Sequence, residues 1–273
     1  MLSGSRGARR GRPPANPAVL SRLYLRAVLP CLTDLADQDP AAGKILGAAH
    51  ASIVLRVIGG PATTVHLRPG RVEWEDGPGR GAEVSLLFLS DGHLNAFFSG
   101  KKWAVPLLVW GGWRVGVLSC FSKLAERLEA ILDGRPTILE TAAGRRLHAR
   151  LSLIAAGLGL HALAQGDDAA RQALRSVPRG LASFSIEGEE RATVWFDHDA
   201  AEYAAGWGAP PRRPDVRVVF SDIDVAYAAI RDEIDAMAAV GCGRIKVEGL
   251  VPLADGLSFV MERMRIYLQP QTH

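Results

Sequence analysis

An internal repeat constrains the fold of this chain more than any other feature of its sequence. Residues 83–88 (EVSLLF) and residues 215–220 (DVRVVF) share one apolar alternation at an offset of 132. Upstream, residues 64–67 match residues 193–196 at an offset of 129. The two offsets differ by three residues, and this difference falls in connections rich in glycine and proline, where surface loops tolerate insertions. The repeat predicts two similar domains in tandem.

Hydrophobic periodicity predicts the same elements in both copies. Apolar residues at helical spacing predict an opening helix and a shorter second helix, which we expect at 19–36 and 40–49, and at 146–165 and 167–176. Alternating residues predict strands, which we expect at 52–58, 63–67, 72–74, 83–88 and 114–118, and at 182–186, 191–196, 201–203, 215–220 and 244–247. The predicted fold class is α/β (α+β), with two tandem, mainly antiparallel sheets of about five strands, each covered by helices.

Further helices are predicted around these strands. One or two helices should follow the strands that end at Phe88 and Phe220. Each copy should close with an amphipathic helix, because apolar residues there recur at steps of three or four. These residues are Leu124, Leu128 and Ile131 in the first copy, and Leu253, Leu257, Val260, Met264 and Leu268 in the second. Asp167 or Asp168 should cap the second copy's shorter helix.

Charge and glycine content predict the boundaries of the two copies. Residues 1–16 contain four arginines among glycine, proline and serine, and no acid precedes residue 34, so we expect a disordered basic arm. Contact with an anionic membrane surface or a targeting machinery is the alternative role for this arm. The predicted domains cover 17–134 and 146–270, joined by a polar linker at 135–145.

Composition limits the classes of function. A net charge of +3 is too small to predict nucleic-acid binding. Three widely spaced cysteines, Cys31, Cys120 and Cys242, predict neither a disulfide framework nor a zinc site, and favour a cytoplasmic protein. The apolar stretches 104–118 and 151–164 are shorter than the roughly 20 residues that span a bilayer. We therefore expect a soluble protein.

The second copy resembles the sterol carrier protein 2 domain family over nearly its whole length. The resemblance rests on a strand that ends at Phe220, Asp222 after it, an apolar helix through Tyr227 and Ile230, the segment 243–249 (GRIKVEG), Pro252 and the closing helix. In the first copy, the offset of 132 places Val117 at the position of Gly249 and Cys120 at that of Pro252. Trp103, Trp110 and Trp113 have no counterpart in the resemblance. The second copy is therefore the closer match.

The resemblance implies an apolar tunnel beneath the closing helix. Lining residues are expected on that helix and on the helix after the central strand. In the second copy they are Phe220, Tyr227, Ile230, Ile234, Met237, Val240, Phe259, Val260 and Met264. In the first copy they are Leu94, Phe97, Phe98, Leu107, Leu108, Leu124 and Leu128. Apolar residues at this spacing also suit an ordinary filled core, and the sequence does not choose between the two.

No motif predicts catalysis, a cofactor or a metal site. Gly241 and Gly243 precede a strand, whereas a phosphate-binding glycine loop precedes a helix. The acids from Asp222 to Asp235 suit helix capping and solvent exposure. None of the seven histidines has a zinc-ligand spacing, and His161 is expected to be a hydrogen-bonded core residue.

Three functions stay open on the sequence alone. The first is binding or carriage of a hydrophobic small molecule, such as a lipid, sterol-like compound or polyprenyl intermediate. The second is an enzyme that acts on a hydrophobic biosynthetic intermediate in the same cavity. The third is a scaffold whose domains pack against each other or against partner enzymes. A homodimer and transient contact with a membrane surface are also compatible with the sequence.

Overall fold

The protein contains two five-stranded sheets, one in each half of the chain. The structure, a computed structural model, describes residues 16–199 and 202–268. The predicted basic arm lies outside these ranges except for Asn16, whose side chain accepts a hydrogen bond from the N–H of Ala18 and caps the first helix. The two sheets thus belong to the predicted α/β class.

The first half opens with three short helices. They are α1 (Pro17–Leu23), α2 (Cys31–Gln38) and α3 (Pro40–Leu46), with a π-helical turn at Tyr24–Val28 between the first two. The single opening helix predicted at 19–36 is therefore interrupted. Pro30 explains the break, because its ring lacks an N–H and excludes the regular helical hydrogen bond at that point.

The first sheet and its helices follow. The strands are β1 (Ala51–Val57), β2 (Ala62–Arg68), β3 (Arg71–Asp76), β4 (Val84–Phe88) and β5 (Leu107–Trp110). They lie in the order β3-β2-β1-β4-β5. The helices are α4 (Asp91–Phe98), α5 (Val115–Leu132) and α6 (Pro136–Leu139).

The second half has the same plan. Its helices are α7 (Ala142–Gly166), α8 (Asp168–Leu174), α9 (Ile223–Ile230), α10 (Ala236–Gly241) and α11 (Val251–Leu268). Its strands are β6 (Leu181–Ile186), β7 (Val194–Asp197), β8 (Ala204–Trp207), β9 (Val216–Phe220) and β10 (Ile245–Gly249). They lie in the order β8-β7-β6-β9-β10, which matches the first sheet strand for strand.

Strand register agrees with the offsets read from the sequence. The two central strands run parallel in each sheet, with Ile53 opposite Val84 and Ala182 opposite Val216. Their neighbours are antiparallel. These pairs reproduce the offsets of 129 and 132. In the hairpins, however, Ile53 faces Val65 and Ala182 faces Phe196, so the predicted match of 64–67 with 193–196 is displaced by two residues.

Two strand predictions were wrong. Residues 115–118 begin α5, and the edge strand β5 lies earlier, at Leu107–Trp110. The structural counterpart of Gly249 is therefore Gly111, not Val117. Both glycines have positive φ, +85° and +101°, and a Cβ on either would collide with the backbone of the neighbouring strand.

The other wrong prediction concerns the third strand of the second copy. We expected it at 201–203, but β8 is Ala204–Trp207, and residues 200 and 201 lie outside the described ranges. Tyr203 has φ +53°, so the backbone turns there instead of extending into the strand.

Helix α7 joins the two halves through one continuous core. It contacts α1, α2 and α5 of the first half as well as β7 and β8 of its own sheet. By length and composition it is the one helix of the described residues that could cross a membrane, but 83% of its most apolar window is buried inside the protein. It is thus the central core helix, and it begins inside the predicted linker.

Candidate functional site

The predicted lining residues of the second half lie in three environments. Val260 and Met264 are buried, and Met264 packs against Gly159 of α7. Four side chains are half-buried against the core: Phe220, Tyr227, Ile230 and Ile234. Three are exposed: Met237 (81%), Val240 (40%) and Phe259 (57%). Phe220 ends β9, Tyr227 and Ile230 lie on α9, and Ile234 follows that helix. Phe259 is exposed on α11.

The predicted lining residues of the first half are also divided. Leu94, Leu124 and Leu128 are buried in the core, and Leu107 and Leu108 are exposed. Phe97 and Phe98 are half-buried and contact each other edge-on with ring centroids 5.4 Å apart. Phe98 also stacks on Tyr24 at 4.9 Å. The structure therefore brings Phe97 and Phe98 together and leaves the β5 leucines at the surface.

Helix α10 packs against the edge strand β10 of the second sheet and buries little of its own surface. It has six residues, and of these only Ala239 is buried. Asp235 caps it by accepting hydrogen bonds from the N–H groups of Met237 and Ala238. An element with so little buried apolar surface opens at a small free-energy cost.

His148 places a buried polar atom beside the half-buried group. Its ring meets Tyr227 edge-on at 5.6 Å, and the guanidinium of Arg231 lies 5.5 Å from the Tyr227 ring. Nδ1 is 2.7 Å from the carbonyl oxygen of Ile131, whereas Nε2 has no hydrogen-bond partner among the described residues. Burial lowers the pKa of His148 most, although the Ile131 hydrogen bond opposes it, and the charge of Arg231 lowers it further. The ring is therefore neutral near pH 7.

Two open clefts of the described residues lie elsewhere. One, of about 430 Å³, is bounded by Lys44, Ile45, Gly116, Ser119, Cys120 and Lys123. The other, of about 300 Å³, is bounded by Arg213, Pro214, Asp215, Arg217, Glu248 and Gly249. Neither includes a predicted lining residue.

A row of exposed apolar side chains follows the edge of the first sheet. We call it the tryptophan strip, and it comprises Trp103, Val105, Leu107, Leu108, Val109, Trp110, Trp113 and Val115. Each of these side chains is between 42% and 68% exposed. Trp110 and Trp113 meet edge-on at 5.0 Å, and Trp103 stacks on His93 at 6.2 Å. Sequence reasoning singled out the three tryptophans but assigned them no role.

Buried ion pairs recur at equivalent places in the two halves. Asp39 caps α3 and lies 2.7 Å from Nε of Arg127 on α5. Asp167 caps α8, as predicted, and lies 2.7 Å from Nη2 of Arg263 on α11. Sequence reasoning found the second cap but missed both arginines. Their matching positions in the two closing helices were the available signal.

Tyr267 adds a second partner to Asp167. Its hydroxyl lies 2.5 Å from Oδ2 of Asp167. Burial, then the hydrogen bond and charge of Asp167, raise the pKa of Tyr267 to about 12. Burial by itself would raise the pKa of Asp167, but hydrogen bonds from Arg263, Tyr267 and the N–H of Ala170 outweigh it and hold that pKa below its usual value.

This arrangement predicts a loss of stability in alkali that depends on Tyr267. The folded protein retains the phenolic proton up to about pH 12, whereas the unfolded chain releases it near pH 10. The stabilisation is complete below pH 10 and is lost as the pH rises through the folded-state pKa. Urea unfolding at pH 8, 10 and 11 should therefore show a steeper decline for the wild type than for Tyr267→Phe. Parallel declines would refute the assignment.

The described residues present no assembled catalytic or metal centre. No group of three His, Cys, Asp or Glu within 16–199 and 202–268 is arranged to hold a metal ion. Cys242 is exposed, and Cys31 and Cys120 are buried; all three are free thiols. Nε2 of His161 lies 2.8 Å from the side-chain amide of Gln165, so this histidine is hydrogen-bonded on α7, where it is half-buried.

Comparison with known proteins gives a partial likeness to a solved structure. No protein-family model matches the chain. No curated protein sequence matches it either. Among solved structures, it is similar to the solution structure of the sterol carrier protein domain 2 of Helicoverpa armigera, at 16% sequence identity and a TM-score of 0.32. The match covers 44% of this chain and 93% of that one.

Proposed function

We propose that the protein binds a hydrophobic small molecule, such as a lipid, sterol-like compound or polyprenyl intermediate, in its second half and carries it without chemical change. The proposed site lies between α9, α10 and the β9–β10 edge of the sheet. The observations that carry the proposal are the half-buried apolar group of Phe220, Tyr227, Ile230 and Ile234, and the weakly held helix that follows this group in the chain.

Burial of apolar surface supplies the driving force for such binding. Each methylene of a ligand gains about 0.8 kcal/mol when it leaves water. A ten-carbon chain would gain roughly 8 kcal/mol before the costs of association and ordering. The half-buried side chains would gain as well, because the ligand covers their remaining exposed surface. In our proposal α10 swings outward to admit the ligand and then closes over it, and Met237 and Val240 come into contact with it.

His148 favours a ligand that carries a hydroxyl group. Nε2 of the neutral ring is a hydrogen-bond acceptor, and an unsatisfied buried acceptor costs about 1–3 kcal/mol. A hydroxyl at the Tyr227 end of the site would donate to Nε2 and remove this cost. We therefore place the polar end of the ligand next to His148 and its apolar remainder along Ile230 and Ile234.

Native mass spectrometry of the full chain, followed by solvent extraction, tests the proposal directly. We expect a retained hydrophobic molecule in the wild type and at least a tenfold weaker uptake of a fluorescent fatty acid by Ile234→Asp, because the carboxylate must be desolvated or protonated in the site. Val251→Asp is the matched control, since Val251 is 52% exposed on α11 and outside the proposed site. Equal uptake by the two folded variants would overturn the site.

Two other functions would give different results in these experiments. An enzyme that uses the same site would convert the bound molecule, and substitution of His148 would abolish turnover while uptake persisted. A scaffold would retain no molecule in either assay.

We further propose that residues 17–134 and 146–270 are two tandem sterol-carrier-like domains in a cytoplasmic protein and that the second is the ligand-binding copy.

A further inference from the structure

We propose that the tryptophan strip docks the protein onto an anionic lipid bilayer. The inference goes beyond the proposed ligand site, because the strip belongs to the first half and needs no cavity. Its aromatic residues, its exposure and the charges beside it each point to a lipid surface.

Tryptophan suits the bilayer interface better than the core or open water. Its large ring is apolar, and its indole N–H keeps a polar contact with water or headgroups. Trp103 and Trp113 are each 68% exposed, and Trp110 is 58% exposed. The leucines and valines between them extend the apolar surface along β5. A row of this kind is unusual on a monomer surface and marks an interaction site.

The exposure of the strip has a structural cause in the missing counterpart of α10. In the second half α10 packs against β10, where Ile245 is buried and Val247 half-buried. In the first half, the fully described residues 99–106 between α4 and β5 form no helix. All four side chains of β5 are consequently exposed. The described part of the chain leaves this edge uncovered.

Charges beside the strip match an anionic surface. The sequence has no aspartate or glutamate between residues 92 and 125. Lys101, Lys102 and Lys123 are exposed there, while Arg114 pairs with Glu83. Each lysine near an anionic bilayer contributes about 1 kcal/mol of attraction. Apolar insertion and basic charge together supply the two signals that stable membrane anchoring requires.

A second copy of the chain is a poorer occupant. The strand β5 is four residues long, and its register with β4 shifts between Ser85 and Leu86. A short, irregular edge offers few hydrogen bonds to another strand. We therefore assign the strip to lipid.

Vesicle co-sedimentation of the full chain tests the assignment. Vesicles of phosphatidylcholine with about 30% phosphatidylserine should sediment the protein, and binding should be at least tenfold weaker to phosphatidylcholine alone or in 1 M salt, where charges are screened. The double variants Trp110→Ser/Trp113→Ser and Lys101→Glu/Lys102→Glu should each weaken binding at least tenfold. Val251→Ser, which removes an exposed apolar side chain of the second half, should bind as the wild type does.

Three outcomes would overturn the assignment. One is the absence of binding to anionic vesicles, and another is unchanged binding by the tryptophan variant. The third is a concentration-dependent dimer that the tryptophan variant abolishes, with no vesicle binding, since the strip would then be a contact between copies. Circular dichroism confirms that each surface variant folds. Ile234→Asp should keep vesicle binding, which separates this test from that of the ligand site.

Discussion

Replacement of Arg150 by methionine is expected to lower the free energy of unfolding by about 3–5 kcal/mol, because it leaves the buried carboxylate of Asp34 without its cation and removes the buried one of the two cations that pair with Glu189. The Arg150 side chain is 4% exposed, and its Nη2 lies 2.7 Å from Oδ1 of Asp34. Its Nη1 lies 2.5 Å from Oε2 of Glu189. Asp34 belongs to the first half, whereas Arg150 and Glu189 belong to the second, so this one side chain links the two halves.

Arg146 provides the matched control for this experiment. It pairs with the same Glu189, but its side chain is 57% exposed. Arg146→Met should therefore cost no more than about 1 kcal/mol, as exposed ion pairs do. Urea unfolding followed by circular dichroism measures both values. If the two variants lose similar amounts of unfolding free energy, burial does not determine how much the Arg150 ion pairs contribute to stability.

The second large effect is expected at Asp167. Asp167→Ala should lower the free energy of unfolding by about 3–5 kcal/mol, because it leaves the partly buried Arg263 without its carboxylate partner. It also removes the cap of α8, where the carboxylate accepts from the N–H of Ala170 at 2.7 Å. The neighbouring Asp168→Ala is the control, since that side chain is 92% exposed and pairs with Arg171 at the surface.

The repeat extends this prediction to Asp39. Asp39 also caps a helix and pairs with a closing-helix arginine, but the Arg127 side chain is 33% exposed, compared with 20% for Arg263. Water therefore compensates more of the lost ion pair at Arg127. Asp39→Ala should lower the free energy of unfolding by about 1–3 kcal/mol. Thermal and urea unfolding should rank the variants Asp167, then Asp39, then Asp168. A larger loss at Asp168 than at Asp167 would contradict the shared role of the buried pairs.

Local patterns predicted the elements that local chemistry determines. The strands that end at Phe88 and Phe220 follow directly from alternation, and the structure ends β4 and β9 at these residues. The buried face of α11 follows from helical spacing, as the burial of Leu253 and Leu257 shows. Strand β5 was misplaced because an ungapped offset took no account of the extra residues that form α10 in the second half.

Long-range packing explains what the sequence left undetermined. Capping by Asp167 was predictable from its position before a helix, whereas its partner Arg263 is 96 residues away. The exposure of Trp110 depends on the described residues 99–106, which form no helix where the second half has α10, and composition alone does not show this difference. The lining residues share an apolar character, but only tertiary packing separates buried Met264 from exposed Met237.

The position of α7 makes each half depend on the other for its solvent protection. The thiol of Cys31 contacts the Leu151 carbonyl oxygen at 3.6 Å, and Arg26 reaches Gln165 at 3.1 Å, so this helix is as much an interior wall of the first half as of the second. A fragment that contains only one half would expose a broad apolar surface that is buried in the intact protein. Such a fragment would bind detergents, dyes and fatty acids without specificity. Its affinity for them would report on the newly exposed interface and not on a site of the native protein.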